Sequence, residues 1–268
     1  MPATGAGGVV SAPVFLAEPG TLDGVSPGDV YRLDGAEGRH AGVVQRRGPG
    51  ERVDIVDCAG VRLEGVVLAV GPDGVDLRVD RRVDEPPPAV RLVLVQALAK
   101  GDRDELAVEA ATEVGVDVVV PWQAERSVVV WRGERAAKSR ARWLGTVRTA
   151  TKQSRRARVP DVELAVDTRS LAERTRSVVA AGGTVLVLHE EAVEPIAGVP
   201  LPEPADAGRG RELAVVVGPE GGLSEAELDR LVAAGARTVR LGPHVLRTST
   251  AGPVALALLA QRLGRWDR

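Results

Sequence analysis

Five stretches in the last two thirds of the chain constrain what it can fold into. They are Arg-Leu-Val-Leu-Val-Gln-Ala-Leu (91–98), Val-Asp-Val-Val-Val-Pro (116–121), Thr-Val-Leu-Val-Leu-His-Glu (184–190), Leu-Ala-Val-Val-Val-Gly-Pro-Glu-Gly-Gly (213–222) and Thr-Val-Arg-Leu-Gly-Pro (238–243). Little in them alternates between apolar and polar, so neither face of such a strand is meant for water. Strands buried on both faces belong to parallel sheets covered by helices. Helical patterns between most of these runs complete the rhythm of an α/β domain with a mostly parallel sheet. In residues 102–115, Asp102 is placed to cap a helix, Leu106, Ala110 and Val114 share a face, and Gly115 can end it. Ser224-x-x-Glu227 is a capping box that starts a helix just after the glycine turn. A last helix, roughly Thr250 to Leu263, carries Pro253 near its first turn, where proline is tolerated.

The first 82 residues read differently. Asp-Val-Tyr-Arg-Leu (29–33), Arg-Val-Asp-Ile-Val-Asp (52–57), the run 61–70 and Gly-Val-Asp-Leu-Arg-Val (74–79) alternate between Gly, Pro and Asp punctuation. That is the pattern of a small β domain of barrel type. Pro86-Pro87-Pro88 can continue neither strand nor helix, so residues 83–90 are expected to be a linker and 91–268 the α/β domain. Residues 1–12 are expected to be a flexible extension.

At 268 residues and 44% hydrophobic, the chain can bury a substantial core. Its apolar runs are far shorter than the roughly 20 residues of a membrane span. The N-terminus has no basic start before its apolar part, so no signal peptide is expected, and a single cysteine fits a reducing cytoplasm. Cys58 is the only cysteine, so no intrachain disulfide forms, and with three scattered histidines no metal site is expected.

Charge is segregated. Residues 126–158 hold eleven Lys/Arg and one acid, a net of +10, which leaves −12 for the remainder of a chain whose total is −2. A solvated arginine-rich helix would account for part of this, but a polyanionic partner explains the segregation better. Nucleic acid, RNA before DNA, is the expected partner. Trp122, Trp131 and Trp143 lie nearby, where core packing competes with base stacking.

Three runs end in tight turns: 185–190, 215–222 and 239–251. Ligands of parallel sheets sit beyond the carboxyl ends of strands, so these three ends are expected to form one pocket lined by backbone N–H and C=O groups. Such a lining suits an adenine edge flanked by Leu and Val. Glu220 would repel a triphosphate and suits a cationic ligand.

These segments, Leu-His-Glu-Glu (188–191), Val-Val-Val-Gly-Pro-Glu-Gly-Gly-Leu-Ser-Glu-Ala-Glu-Leu (215–228) and Leu-Gly-Pro-His-Val-Leu-Arg-Thr-Ser-Thr-Ala (241–251), closely resemble the cofactor-binding segments of the SPOUT methyltransferases. In particular they resemble the enzymes that methylate N3 of one uridine in bacterial 16S rRNA, the RsmE type. Residues 38–60, 96–129 and 142–160 are similar to further blocks of that family, so the resemblance spans nearly all of the chain after residue 13. Gln45, Thr151-Lys152 and Thr248-Ser249-Thr250 depart from its usual residues.

The resemblance implies a PUA-like β-barrel domain (1–82) assisting RNA binding, a trefoil-knot methyltransferase domain (91–268), S-adenosylmethionine as cofactor and a homodimer. It implies cofactor contacts by Leu188, His189 and Glu190, by Val217, Gly218, Pro219, Glu220, Gly221 and Gly222, and by Leu241, Gly242, Val245, Leu246, Thr248, Thr250 and Ala251. The implied partner is 16S rRNA of the small ribosomal subunit, bound by Arg46, Arg155, Arg156 and Arg158; Lys100, Arg126 and Lys152 are further candidate RNA contacts. Uracil N3 must lose its proton before it can accept a methyl group, so a cation beside the base is expected. Arg247 is the first choice for that cation, with Arg103 and Glu113 as alternative catalytic residues. A knotted methyltransferase acting on a ribose 2′-OH or a tRNA base, or an RNA-binding assembly factor without catalysis, stays open as a second reading. A nucleotide-binding domain would need Gly-x-Gly-x-x-Gly after its first strand, and Ala-Leu-Ala-Lys-Gly-Asp (97–102) is not that.

Overall fold

The computed structural model describes residues 12–204 and 210–267. The expected flexible extension lies, apart from Ala12, outside them. The chain forms two compact units, one of residues 1–86 with 155–158, the other of 87–154 with 159–268.

The first unit is a five-stranded sheet of β1 (Val14–Leu16), β2 (Val30–Asp34), β3 (Arg52–Val56), β4 (Val61–Gly71) and β5 (Gly74–Asp84), in the order β1-β3-β4-β5-β2. β1 joins β3 in parallel and the remaining pairs are antiparallel. Register shifts at Glu64/Gly65 and Val67/Ala69 put bulges in the long β4–β5 hairpin, and bulges increase local twist. Phe15, Leu22, Leu33, Ile55, Leu63 and Leu77 fill one core. After β2 come helix α1 (Gly35–Arg39) and a π-helical turn, His40–Val44, neither expected from the alternating pattern. The expected linker is shorter than drawn: Val83 and Asp84 continue β5, and Val90 opens the next strand. Extended pairing needs only backbone groups, so it runs up to the prolines on both sides.

The distant segment 155–158 belongs to this unit. Ala59 bridges Arg158, Arg62 donates to the Arg155 carbonyl, and Ala157 packs among Val14, Leu16 and Val56. Arg62 also pairs with Asp54 at 2.9 Å. Burial pushes the Asp54 carboxyl up, and its hydrogen bond from Arg62 opposes that.

The second unit is the expected α/β domain with a parallel sheet. Its strands are β6 (Val90–Ala97), β7 (Val118–Gln123), β8 (Asp161–Val162), β9 (Val166–Asp167), β10 (Thr184–Leu188), β11 (Arg211–Val217) and β12 (Arg237–Val239). The order is β12-β10-β11-β6-β7-β8, with β9 also on β7, and every described pair is parallel. Along β6 the side chains alternate between two cores. Leu92 and Leu94 pack with α2 (Arg103–Glu113), α3 (Glu134–Gln153) and α6 (Thr248–Arg262). Val93, Val95 and Ala97 pack with α4 (Thr168–Ala180) and α5 (Glu225–Ala233). Both faces are buried, as the apolar runs require.

Local expectations divide. The Ser224/Glu227 capping box is present in full. Asp102, by contrast, sits at the α2 N-cap with φ +61 and no side-chain cap bond; Asp104 instead turns its carboxylate back onto the Ala99 and Glu105 N–H groups. Burial pushes the Asp104 carboxyl up, and those N–H donors hold it back. The Leu106–Ala110–Val114 face is not the buried one. Ala107, Val108, Ala111 and Thr112 point inward, and Leu106 is 55% exposed. α6 starts at Thr248, two residues early, so Pro253 lies in its second turn. The tryptophans belong to the core: Trp122 and Trp143 are fully buried, and Trp131 meets Trp143 edge-on at 5.1 Å.

Trp143 joins α3 to the sheet, and removing its side chain would leave a void that rigid neighbours cannot close. Trp143→Ala is expected to destabilise the protein by about 3–5 kcal/mol, read as a fall in the urea midpoint with the far-ultraviolet spectrum retained.

Candidate functional site

The sheet's strand order changes direction around β6: the chain moves outward to β7 and β8, then crosses to β10 and returns to fill β11 between β10 and β6. At such a switch point the loops leaving neighbouring strands diverge and leave a crevice at their carboxyl ends. A cavity of about 800 Å³ lies there, within the usual range for a small-molecule site.

The three strand-end segments meet in it. Leu188 ends β10, with His189 and Glu190 after it; Val217 ends β11, with Gly218 to Leu223 after it; Arg240 to Thr248 and Ala251 run from β12 into α6. Cross-links between the loops set their shape: the His189 N–H donates to the Val239 carbonyl at 3.0 Å, and the Arg240 N–H to the Glu194 carbonyl at 2.8 Å. The glycine turn closes on itself through Gly222 N–H to Pro219 carbonyl, with Gly222 at φ +70, which favours glycine. A side chain at Gly218 would run into Leu223.

Of the sequence-derived cofactor residues, Leu188, His189, Glu190, Val217, Gly218, Pro219, Glu220, Gly221, Gly222, Leu241, Gly242, Val245, Leu246, Thr248 and Ala251 all line this cavity. Thr250 does not: it is exposed, one residue round the helix from Ala251. The sequence reading missed Arg240, Pro243, His244 and Leu223, all inside motifs it had already singled out.

Four arginines reach the cavity: Arg103, Arg126, Arg240 and Arg247. Arg103, at the first turn of α2, pairs with Glu220 across the opening at 2.8 Å. Burial pushes the Glu220 carboxyl up, but its own backbone N–H, the Arg103 guanidinium and the Lys100 N–H together hold it below its usual value. Arg126, a candidate RNA contact from the basic stretch, donates to the Gly221 carbonyl at 3.0 Å and so stands at the pocket wall. Arg247 is the N-cap residue of α6 and is exposed at the rim. Glu113 is not brought here. It is exposed at the far end of α2, ten residues from Arg103, or about 15 Å along the axis.

The basic stretch is divided among several tasks. Arg140 turns inward onto the Val162 and Glu163 carbonyls, and Arg142 pairs with Glu105. Arg158 donates to the Glu85 carbonyl and lies against Gly60. Arg135, Lys138 and Arg148 are exposed along α3, and Lys152 is half-buried at its end. Arg46 and Arg155 are exposed with positive φ, Arg156 is half-buried and Lys100 is exposed.

Residues 85–260 match the RNA methyltransferase domain family. The chain is 48% identical to ribosomal RNA small subunit methyltransferase E of Mycobacterium bovis over 90% of its length and 89% of that protein's. It is 29% identical to the Bacillus subtilis protein of the same name, over 90% and 93%. Among solved structures it resembles ribosomal RNA small subunit methyltransferase E of Neisseria gonorrhoeae bound to S-adenosylmethionine, with a TM-score of 0.78, 26% identity, and coverage of 94% of this chain and 98% of that one. A Legionella pneumophila methyltransferase with the same bound cofactor gives 0.78 at 27% identity, with the same coverage.

A parallel-sheet domain with a strand-end cavity of this kind is that of an RNA methyltransferase. The chain belongs to the ribosomal RNA small subunit methyltransferase E family.

Because the Glu220 carboxyl sits below its usual value, its stabilising contribution is fully present above the ordinary carboxylate range and is lost as pH falls through the folded value. The stability difference between the protein and its Glu220→Gln variant should therefore be constant near neutrality and shrink in acid, as read by denaturation at a series of pH values. A difference that stays constant into acid would disprove the assignment.

Proposed function

We propose that this chain transfers the methyl group of S-adenosylmethionine to N3 of one uridine in 16S rRNA of the small ribosomal subunit. The observation that carries the reading is the convergence of three strand-end loops on one cavity with arginines at its rim. The lining fits the cofactor. Leu188, Val217, Leu241 and Ala251 offer apolar walls for a purine, the glycine turn brings backbone close, and Glu220 provides an anion for a cationic ligand. When bound, the cofactor supplies a methyl group already activated by its sulfonium.

The protein's part is alignment and charge stabilisation. Arg247 is placed to face a base entering over the rim and to stabilise the anion that forms as N3 loses its proton. Arg103, fixed by Glu220, is the second cation near the opening. The target uridine must be unpaired or flipped out, because N3 lies on its Watson–Crick edge. The exposed bases of α3, with Lys100 and Arg155, supply phosphate contacts. We assign residues 1–82 as a PUA-like domain that assists RNA binding, with Arg46 at its exposed loop, and residues 91–268 as a trefoil-knot domain. A cytoplasmic location fits work on ribosomal RNA of the small subunit.

A homodimer is the proposed active unit. α2 and α6 pack side by side, and each turns apolar side chains outward: Leu106 on α2, Val254 and Leu258 on α6. Leu258, 43% exposed, is costly to leave in water. Leu258→Arg is expected to convert a dimer into a monomer by light scattering at micromolar concentration; an unchanged mass would remove this face from consideration.

The central test is methyl transfer to small subunits from a strain lacking the protein, with the product nucleoside identified by mass spectrometry. 3-Methyluridine at one site is expected. Arg247→Ala should lower turnover by about a hundredfold while cofactor affinity stays within a few-fold. Another methylated nucleoside would move the target to a different RNA position, and cofactor binding with no product on any RNA would favour an assembly factor.

A further inference from the structure

One residue in the central strand does not belong to the core around it. Gln96 is fully buried in β6, among leucines and valines, and its Oε1 has no hydrogen-bond partner among the described residues. A leucine would fill the same space without stranding a buried carbonyl, so the amide is not there for stability. Its other end shows what it does. Nε2 lies 3.2 Å from the Ala97 carbonyl and 2.9 Å from the Thr248 hydroxyl, 152 residues away. The Thr248 hydroxyl lies 2.8 Å from the Gly218 carbonyl, in the glycine turn.

The direction of every bond in this chain is fixed by its two ends. Carbonyls only accept, so the Gln96 atom beside Ala97 must be the NH₂ group. That group's second hydrogen goes to Thr248, whose oxygen therefore accepts. The single Thr248 hydrogen is taken by Gly218. One lone pair of the hydroxyl is left, and it can only accept a hydrogen bond. Thr248 lines the cavity, whose lining also includes Val217, Leu241 and Ala251.

We infer that Gln96, acting through Thr248, makes this end of the pocket an obligate acceptor that selects an N–H donor of the cofactor, the exocyclic amine of adenine. Gln96 is a positioning residue, since it does not line the cavity; Thr248 is the contacting group. The inference rests on the proposed occupancy of this cavity by S-adenosylmethionine. The adenine amine is favoured over the methionine ammonium because the Thr248 oxygen is uncharged, whereas the cavity holds two carboxylates, Glu190 and Glu220, that suit a cation. A 6-oxo purine would set its own acceptor against the Thr248 lone pair.

The test is calorimetric binding of S-adenosylhomocysteine, S-inosylhomocysteine and 5′-methylthioadenosine to the full-length protein. The amino ligand is expected to bind at least about tenfold more tightly than the 6-oxo ligand, the worth of one well-placed hydrogen bond. Thr248→Val should shrink that ratio several-fold, Thr248→Ser should keep it, and Gln96→Leu should narrow it with the circular dichroism spectrum unchanged. An unchanged ratio in Thr248→Val overturns the inference while leaving the cofactor site intact. If Thr248→Val weakens S-adenosylhomocysteine but not 5′-methylthioadenosine, the donor is the ammonium, and the adenine assignment falls. If the unaltered protein binds none of the three, the cofactor reading itself fails, and this inference with it.

Discussion

The pairing of β6 with β11 is the constraint from which the second unit follows. The two strands run in parallel over seven residue pairs, from Arg211–Val90 to Val217–Gln96. Parallel neighbours cannot be joined by a tight turn, so the 113 residues between them must travel elsewhere before β11 can slot in. That excursion builds β7 to β10 and helices α2, α3 and α4, which lie on both faces, while α5 and α6 follow β11. It also leaves β11 flanked by strands that reach it from opposite directions in the fold. The cavity is the gap this topology leaves where the loops part company, and the residues lining it are fixed by where strands end.

This is why the second unit was largely legible in the sequence. Apolar runs without alternation declare burial on both faces, and the segments after them must lie at carboxyl ends. Fifteen of the sixteen expected cofactor positions line one cavity for that reason. The failures have a common cause, in that one-dimensional patterns rank side chains by hydrophobicity and ignore available space. On α2 the inward positions, close to the sheet and to α3 and α6, hold alanines, while the leucine is left outside. Glu113 and Arg103 share a helix, but a helix is a ruler, and ten residues carry its two ends beyond any shared site. Thr250 fails by rotation alone, since a step of one residue turns about 100° around the axis.

Charge was legible as a total and illegible as a distribution of work. The excess of arginine between 126 and 158 reads as one basic surface, yet the structure divides it among carbonyl anchors, a salt bridge and an outward helix face. Arginine suits this division, because five donors in a fixed fork can satisfy backbone carbonyls that a lysine would reach with a single point charge. Arg158 shows the consequence most clearly. Its guanidinium lies against Gly60, where a side chain would have no room, and it ties the segment 155–158 into a unit otherwise built from the first 86 residues. No local pattern can announce such a partnership.

The pocket's chemistry separates into two regimes for the same reason. At the opening, Glu220 and Arg103 form a half-exposed pair whose charges are screened by water and can exchange partners when a charged ligand or a phosphate arrives. Behind the lining, the chain of bonds runs from Ala97 through Gln96 and Thr248 to Gly218, and each of its hydrogens is already committed. A screened pair adapts, and a buried chain of fixed polarity discriminates. A site that must hold one purine and still admit a flexible RNA needs both, in that order of depth.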